Sequence, residues 1–170
     1  MKDQSVYEVQ EIDNCVNYGT LIQGGGDKIY QTEERQLRQL NKEELEKYQY
    51  DIKMLMAGGS TVGGIISYGR QCMIQNCVNV GQIMLSKEKN VVYCLADLVD
   101  ETIENPIFVG EVCGLYHMES VGNIGIKNCA YRDGAPMAAF APYGSAGIET
   151  ETLQELSVEE LKNVAEKVLQ

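Results

Sequence analysis

The sequence predicts a mainly β fold, an irregular right-handed β-solenoid of the β-helix kind. Three observations carry that expectation. The tetrapeptide Ile-x-Asn-Cys occurs three times, at 12–15, 74–77 and 126–129. A glycine-containing apolar lead-in, Val62-Gly63-Gly64-Ile65-Ile66-Ser67-Tyr68 and Val109-Gly110-Glu111-Val112-Cys113-Gly114-Leu115, precedes the second and third copies. Within the motif the alternation of apolar and polar residues changes parity at the Asn, as it must where a strand with one buried face turns a corner.

The repeat comes first. The first two copies, Ile12 to Leu21 and Ile74 to Ile83, agree at Ile, Asn, Cys, Val, Asn and Gly. The third, from Ile126 to Gly134, keeps Ile, Asn and Cys and carries its Gly one position late. Ile74 holds one parity; Cys77 and Ile83 hold the other. Asn tolerates the left-handed backbone conformation that a sharp bend requires, and its amide can satisfy backbone groups at the corner. Gly81 supplies a second permissive position. Strand, Asn corner, strand, Gly corner makes one coil. Stacking the coils places Asn14, Asn76 and Asn128 in a ladder. It also places Cys15, Cys77 and Cys129 in an inward column, about 4.8 Å apart for adjacent coils.

The whole chain, 1–170, reads as a single domain with coil elements near 7–23, 62–84 and 109–135. The copies are unevenly spaced, 77 − 15 = 62 and 129 − 77 = 52 residues apart, so each interval holds an insertion. The first is predicted to be helical near 32–56: Leu37, Leu40, Leu45 and Tyr48 sit near helical spacing, and Asn41 with Glu44 forms a capping box. The second, 86–106, is predicted as a strand over Val91 to Ala96 followed by an acidic loop. A helix near 157–169 begins at a second capping box, Ser157 with Glu160, and shows the stripe Leu161, Val164, Ala165, Val168. Its expected role is to cap the open end of the last coil. The first copy lacks a lead-in, so the chain reads as starting partway through a repeat. Whether Met1 is the native start or the chain is a piece of a longer one stays open.

Charge excludes some partners. The net charge is −11, which repels phosphate backbones and anionic lipid surfaces, so no nucleic-acid partner is expected. No apolar run approaches the roughly 20 residues that span a bilayer, so no membrane insertion is expected. Met1-Lys2-Asp3-Gln4 opens no apolar signal segment. The six cysteines permit three disulfides, but their spacing is not that of a small disulfide scaffold, and buried free thiols are expected.

Little in the sequence points to chemistry. His117 stands four residues after Cys113 with no second pair to complete a zinc site, and is expected to be structural. No Gly-Lys-Ser/Thr follows the glycine clusters. An acidic group, Asp97, Asp100 and Glu101 with Glu104, holds the only carboxylates that could act together, and in an enzymatic reading Asp97, Asp100 and Glu101 are the candidates. No catalytic, cofactor-binding or metal set is predicted, and no cofactor is expected.

The segment Val-Gly-Gly-Ile-Ile-Ser-Tyr followed by Ile-Gln-Asn-Cys-Val-Asn-Val-Gly-Gln-Ile resembles the GLUG-type repeats of surface proteins of Gram-positive gut and oral bacteria. The match covers 62–83 and 109–170, with a fragment at 12–21. Ser67 stands where those repeats have Gly, and the two insertions have no counterpart in them. The resemblance implies β-solenoid architecture and an adhesive or surface role, and supplies no catalytic residues. The expectation is therefore a non-catalytic structural or binding module of a bacterial cell-surface or secreted adhesin-like protein, with a protein or glycan ligand. The alternatives are a carbohydrate-active β-helix enzyme and an intracellular partner-binding protein that docks through the inserted helix. As part of a longer protein the chain is expected outside the cell or on its surface; otherwise it is expected in the cytoplasm.

Overall fold

The computed structural model describes residues 10–23, 28–29, 40–85, 90–101, 103–117, 125–135, 137–141 and 147–170. Within them the fold is mainly β, built of parallel sheets, none of which closes on itself. The predicted coils are stacked layers. The first holds β1 (Gln10–Asp13), β2 (Val16–Asn17) and β3 (Leu21–Gln23). A short strand, β4 (Lys28–Ile29), and helix α1 (Lys42–Ala57) come next. The second layer holds β5 (Ser60–Gly63), β6 (Ile66–Arg70), β7 (Cys72–Gln75), β8 (Val78–Asn79) and β9 (Ile83–Leu85). After β10 (Val91–Val92) and α2 (Leu95–Asp100), the third holds β11 (Ile107–Gly110), β12 (Cys113–His117), β13 (Ile126–Lys127) and β14 (Ala130–Arg132). The chain ends with β15 (Ala139–Phe140), β16 (Gln154–Leu156) and α3 (Val158–Val168).

Register follows the repeat. Ile12, Ile74 and Ile126 are partners across β1, β7 and β13; Val16, Val78 and Ala130 are partners across β2, β8 and β14. Val62 pairs with Val109, so the two lead-ins stack as well. Among the described residues only β4 runs antiparallel, against β9. A fourth, partial layer lies beyond the third: β15 pairs with β12, Ile148 bridges Ile126, and β16 pairs with β14. Strand β10 also belongs to it in space, since it pairs with β11 on the side away from β5. The second insertion thus crosses ahead of the layer that follows it in sequence.

The corners are where the parity slips. Asn14, Asn76 and Asn128 all take positive φ, 57°, 56° and 51°. The lead-in strands meet β7 through Gln71, also at positive φ, 48°.

Both faces of several strands are buried. Ile74, Cys77, Val112, Cys113, Tyr116, Ile126 and Cys129 fill the interior near the Asn corners. Val62, Ile83, Leu85 and Val109 fill the rest. On the outside, α1 and α2 pack Ile52, Leu95 and Leu98 over Phe108, Leu115 and Phe140. The rings of Phe108 and Phe140 sit with centroids 4.9 Å apart.

One expected helix is met in part, and two expectations need correction. Helix α1 begins at Asn41 with the predicted capping box; the earlier part of the 32–56 prediction falls outside the described residues. The second insertion is a strand for only two residues, and Leu95–Asp100, expected as strand end and acidic loop, is helix α2, with Glu101 and Glu104 beyond it outside any helix or strand. Leu95, Ala96 and Leu98 are buried, and that burial draws the segment into a helix. Helix α3 starts at Ser157 with its capping box intact. It does not cap an end. Leu161 and Ala165 lie on Val78, Val80 and Ala130, so the helix covers the outer face of the β2, β8, β14 and β16 sheet.

Candidate functional site

The predicted repeat residues assemble on one edge. Asn128 donates its amide to Asn76 Oδ1, and Asn76 donates to Asp13 Oδ1 at 2.9 Å. Gln75 Nε2 adds a bond to Asp13 Oδ2 at 3.2 Å. The ladder is real, but its first-layer rung is the Asp13 carboxylate rather than the Asn14 amide. The left-handed backbone at each Asn leaves the side chain free to reach along the stack.

The cysteine column is also formed. Cys77 and Cys129 are buried, and each thiol leans on the layer before it: Cys77 Sγ lies 3.7 Å from Ile12 O and Cys129 Sγ 3.7 Å from Ile74 O. Cys15 departs from the expectation, being exposed. Among the described residues no strand stacks on the outer side of β1 and β2, and Ile12 and Leu21 are correspondingly only half-buried. The Cys77 thiol is pushed up by its contact with Cys129 and by burial. Cys129 is held below the usual thiol range by the hydrogen bond from Cys77. All six cysteines are free, and all except Cys15 are buried.

A groove runs between this corner and α3. It has a volume of about 230 Å³ and is lined in part by Asn14, Asn76, Asn128, Val78, Val164 and Lys167. Its lining combines the valines, the corner amides and Lys167. That is smaller than the cavities that enclose drug-sized ligands.

The acidic candidates Asp97, Asp100 and Glu101 lie on α2 and at its C-terminal end. Asp97 is buried, and its Oδ2 accepts from Tyr93 N at 3.0 Å and Cys94 N at 3.2 Å. Its work is to close the first turn of α2. Asp100 and Glu101 are exposed at the other end of that helix. His117 ends β12, four strand residues from the buried Cys113, a separation of about 13 Å. Among the described residues no group of three His, Cys, Asp or Glu is placed to hold a metal ion.

One polar cluster escapes the sequence reading. Asn17 Nδ2 donates to Asn79 Oδ1 at 2.9 Å, and Asn79 Nδ2 donates to Glu111 Oε2 at 2.8 Å. This chain crosses the interior and links three layers. Asn79 is fully buried and Glu111 is 3% exposed. Burial pushes the Glu111 carboxyl up to about 7, against the Asn79 hydrogen bond and the charge of Arg132, which both favour the ionised form. Arg132 is fixed by a 3.0 Å bond from Nε to Val80 O. The signal was present in the sequence: Glu111 occupies the position of Gly64 in the other lead-in, where a glutamate is out of place among Val109, Val112 and Cys113. Gly64 shows why space is short there, since a Cβ on it would come within 2.3 Å of the Asn79 amide.

Comparison with protein-family models, with curated proteins and with solved structures finds no match to this chain.

Proposed function

We propose that the chain is a non-catalytic structural or binding module of the GLUG-repeat type, wound as a right-handed β-solenoid and belonging to a bacterial cell-surface or secreted adhesin-like protein. The observation that carries this reading is how the polar side chains are used. The corner amides bond to one another along the stack, Asp97 closes a helix turn, and Glu111 is tied to Asn79. Asp97, one of the carboxylates suggested for an enzyme, is thus buried and occupied by backbone, as in a scaffold rather than a hydrolytic cleft. Right-handed winding is the hand that connections between parallel strands take almost without exception. The groove beside α3 is the binding face in this reading.

The test pairs binding with turnover. The purified chain is applied to a glycan and peptide array, and the same glycans are assayed for release of new reducing ends. Binding without cleavage, weakened by Lys167→Ala, supports the module. Cleavage that Asp100→Ala abolishes would establish the enzymatic alternative instead. The reading frame around the chain separates the two locations: a secretion signal and a wall anchor support the surface role, and a frame confined to a cytoplasmic product removes it.

A further inference from the structure

The column of three thiols has a use that stacking alone does not require. Cys15 and Cys77 occupy equivalent places between paired positions, Asp13 with Gln75 and Val16 with Val78. Cys77 and Cys129 stand likewise between Gln75 with Lys127 and Val78 with Ala130. Adjacent strands in register put their Cα atoms about 4.8 Å apart, inside the range of about 4.4–6.8 Å that a disulfide needs. Each inner thiol reaches toward the layer before it, Cys77 Sγ lying 3.7 Å from Ile12 O and Cys129 Sγ 3.7 Å from Ile74 O. Three sulfurs in a row are the arrangement of thiol–disulfide exchange, in which an attacking sulfur, a central sulfur and a leaving sulfur line up. Only the first of the three is exposed.

We propose that Cys15, Cys77 and Cys129 form a thiol relay, in which a small disulfide oxidant reacts at Cys15 and the disulfide passes inward to Cys77 and Cys129. The steps balance. The Cys15 thiolate attacks one sulfur of glutathione disulfide; a Cys15–glutathione bond forms, the oxidant's own S–S bond breaks, and one glutathione thiolate leaves. Cys77 gives up its proton to solvent and attacks the Cys15 sulfur, expelling the second glutathione thiolate. Cys129 then gives up its proton and attacks the Cys77 sulfur; a Cys77–Cys129 bond forms, the Cys15–Cys77 bond breaks, and Cys15 leaves as a thiolate that takes up a proton from solvent. Two protein thiols are oxidised, and one disulfide is reduced to two thiols. The Cys129 sulfur is placed for the last step, because it stands next to Cys77 in the column, in the register of β7 with β13 and β8 with β14. Entry is slowed near neutrality, because burial and the neighbouring Cys77 push the Cys15 thiol up. The product links the second and third layers covalently at the Asn corner.

The fold contains its own control. Cys72 and Cys113 are also close, since a Cβ on Gly69 would lie 3.1 Å from each sulfur. Both are buried, at 3% and 0% exposure, and Cys113 is pushed up to about 12 by burial. They lie off the relay and should stay reduced while it turns over.

The experiment treats the full chain with glutathione disulfide at about pH 8.5, where thiolate forms readily. Samples are quenched with an alkylating agent over time and mapped without reduction by mass spectrometry. The expected order is glutathione on Cys15, then a Cys15–Cys77 disulfide, then Cys77–Cys129 with Cys15 released. Cys129→Ser should stop the sequence at Cys15–Cys77. Cys15→Ser should slow oxidation of Cys77 and Cys129 by at least about tenfold. Alkylating Cys15 in the folded wild-type chain should do the same, which keeps the test valid for a poorly folding variant. Unchanged oxidation of Cys77 and Cys129 after either block would overturn the relay. So would glutathione that stays on Cys15, or Cys72–Cys113 forming first. The outcome is independent of any ligand at the groove.

Discussion

Glu111→Gln isolates the cost of holding a carboxylate inside the stack. The Glu111 carboxyl titrates near 7 in the folded chain against 4.5 ordinarily, because burial disfavours the charged form more than Asn79 and Arg132 favour it. A raised carboxyl value means that the native state binds the proton more tightly than the unfolded chain. The stability this contributes is fully present below 4.5 and is lost as pH rises through 7. The whole shift of 7 − 4.5 = 2.5 corresponds to about 3 kcal/mol, of which about 2 kcal/mol is lost between about pH 5.5 and 8.5. That window avoids the sequence pI of about 4.5, where solubility is lowest. Gln keeps an oxygen to accept from Asn79 Nδ2 and removes the ionisation. Urea unfolding of both chains across the window is the assay. The gap between wild type and Glu111→Gln should move in favour of the variant by about 2 kcal/mol from the acid end to the alkaline end. A constant offset between the two curves would show that Glu111 carries no such cost, and would refute the burial argument.

Two further substitutions test the stack. Asn76→Ala loses the bonds to Asp13 and from Asn128 and places Ala at φ 56°, so it should cost about 2 kcal/mol in chemical denaturation, whereas Asn76→Gly relieves the backbone and should recover about half of that. Leu161→Ala, on the fully buried contact of α3 with Val78 and Ala130, should cost about 3 kcal/mol and increase binding of a hydrophobic dye to the uncovered sheet face; an effect under about 1 kcal/mol would mean that the helix is only loosely held.

Local chemistry made the repeat legible. An apolar–polar alternation that slips at Asn has few physical solutions, and a left-handed corner is one; Asn14, Asn76 and Asn128 all adopt it. The two capping boxes, at Asn41 and Ser157, were legible for the same reason: each is satisfied by residues three apart. What escaped was set by distant partners. The six residues of α2 carry two aspartates and read as strand end and loop, and become helical because Leu95 and Leu98 find a floor in Phe108, Leu115 and Phe140. Nor could the two-residue strand β10 announce that it joins a layer whose other strands come some fifty residues later.

The placement of α3 follows from a pattern that the inward columns obscure. In the second copy, Cys77 and Asn79 point into the stack, and the residues between and after them, Val78 and Val80, must point out. A solenoid face left to water would carry polar residues there. Val78 is 1% exposed and Val80 4%, so this face is covered, and the amphipathic stripe Leu161 and Ala165 is what covers it. Cys77, Val78, Asn79 and Val80 therefore read as a strand buried on both sides. The same helix makes the groove, because Val164, Lys167 and Val168 overhang the amide ladder where the sheet turns its corner. Covering the face and building the groove are thus one structural event. A chain lacking α3 should lose both together: the valine face becomes solvent-exposed, and the groove loses the wall that Val164, Lys167 and Val168 supply.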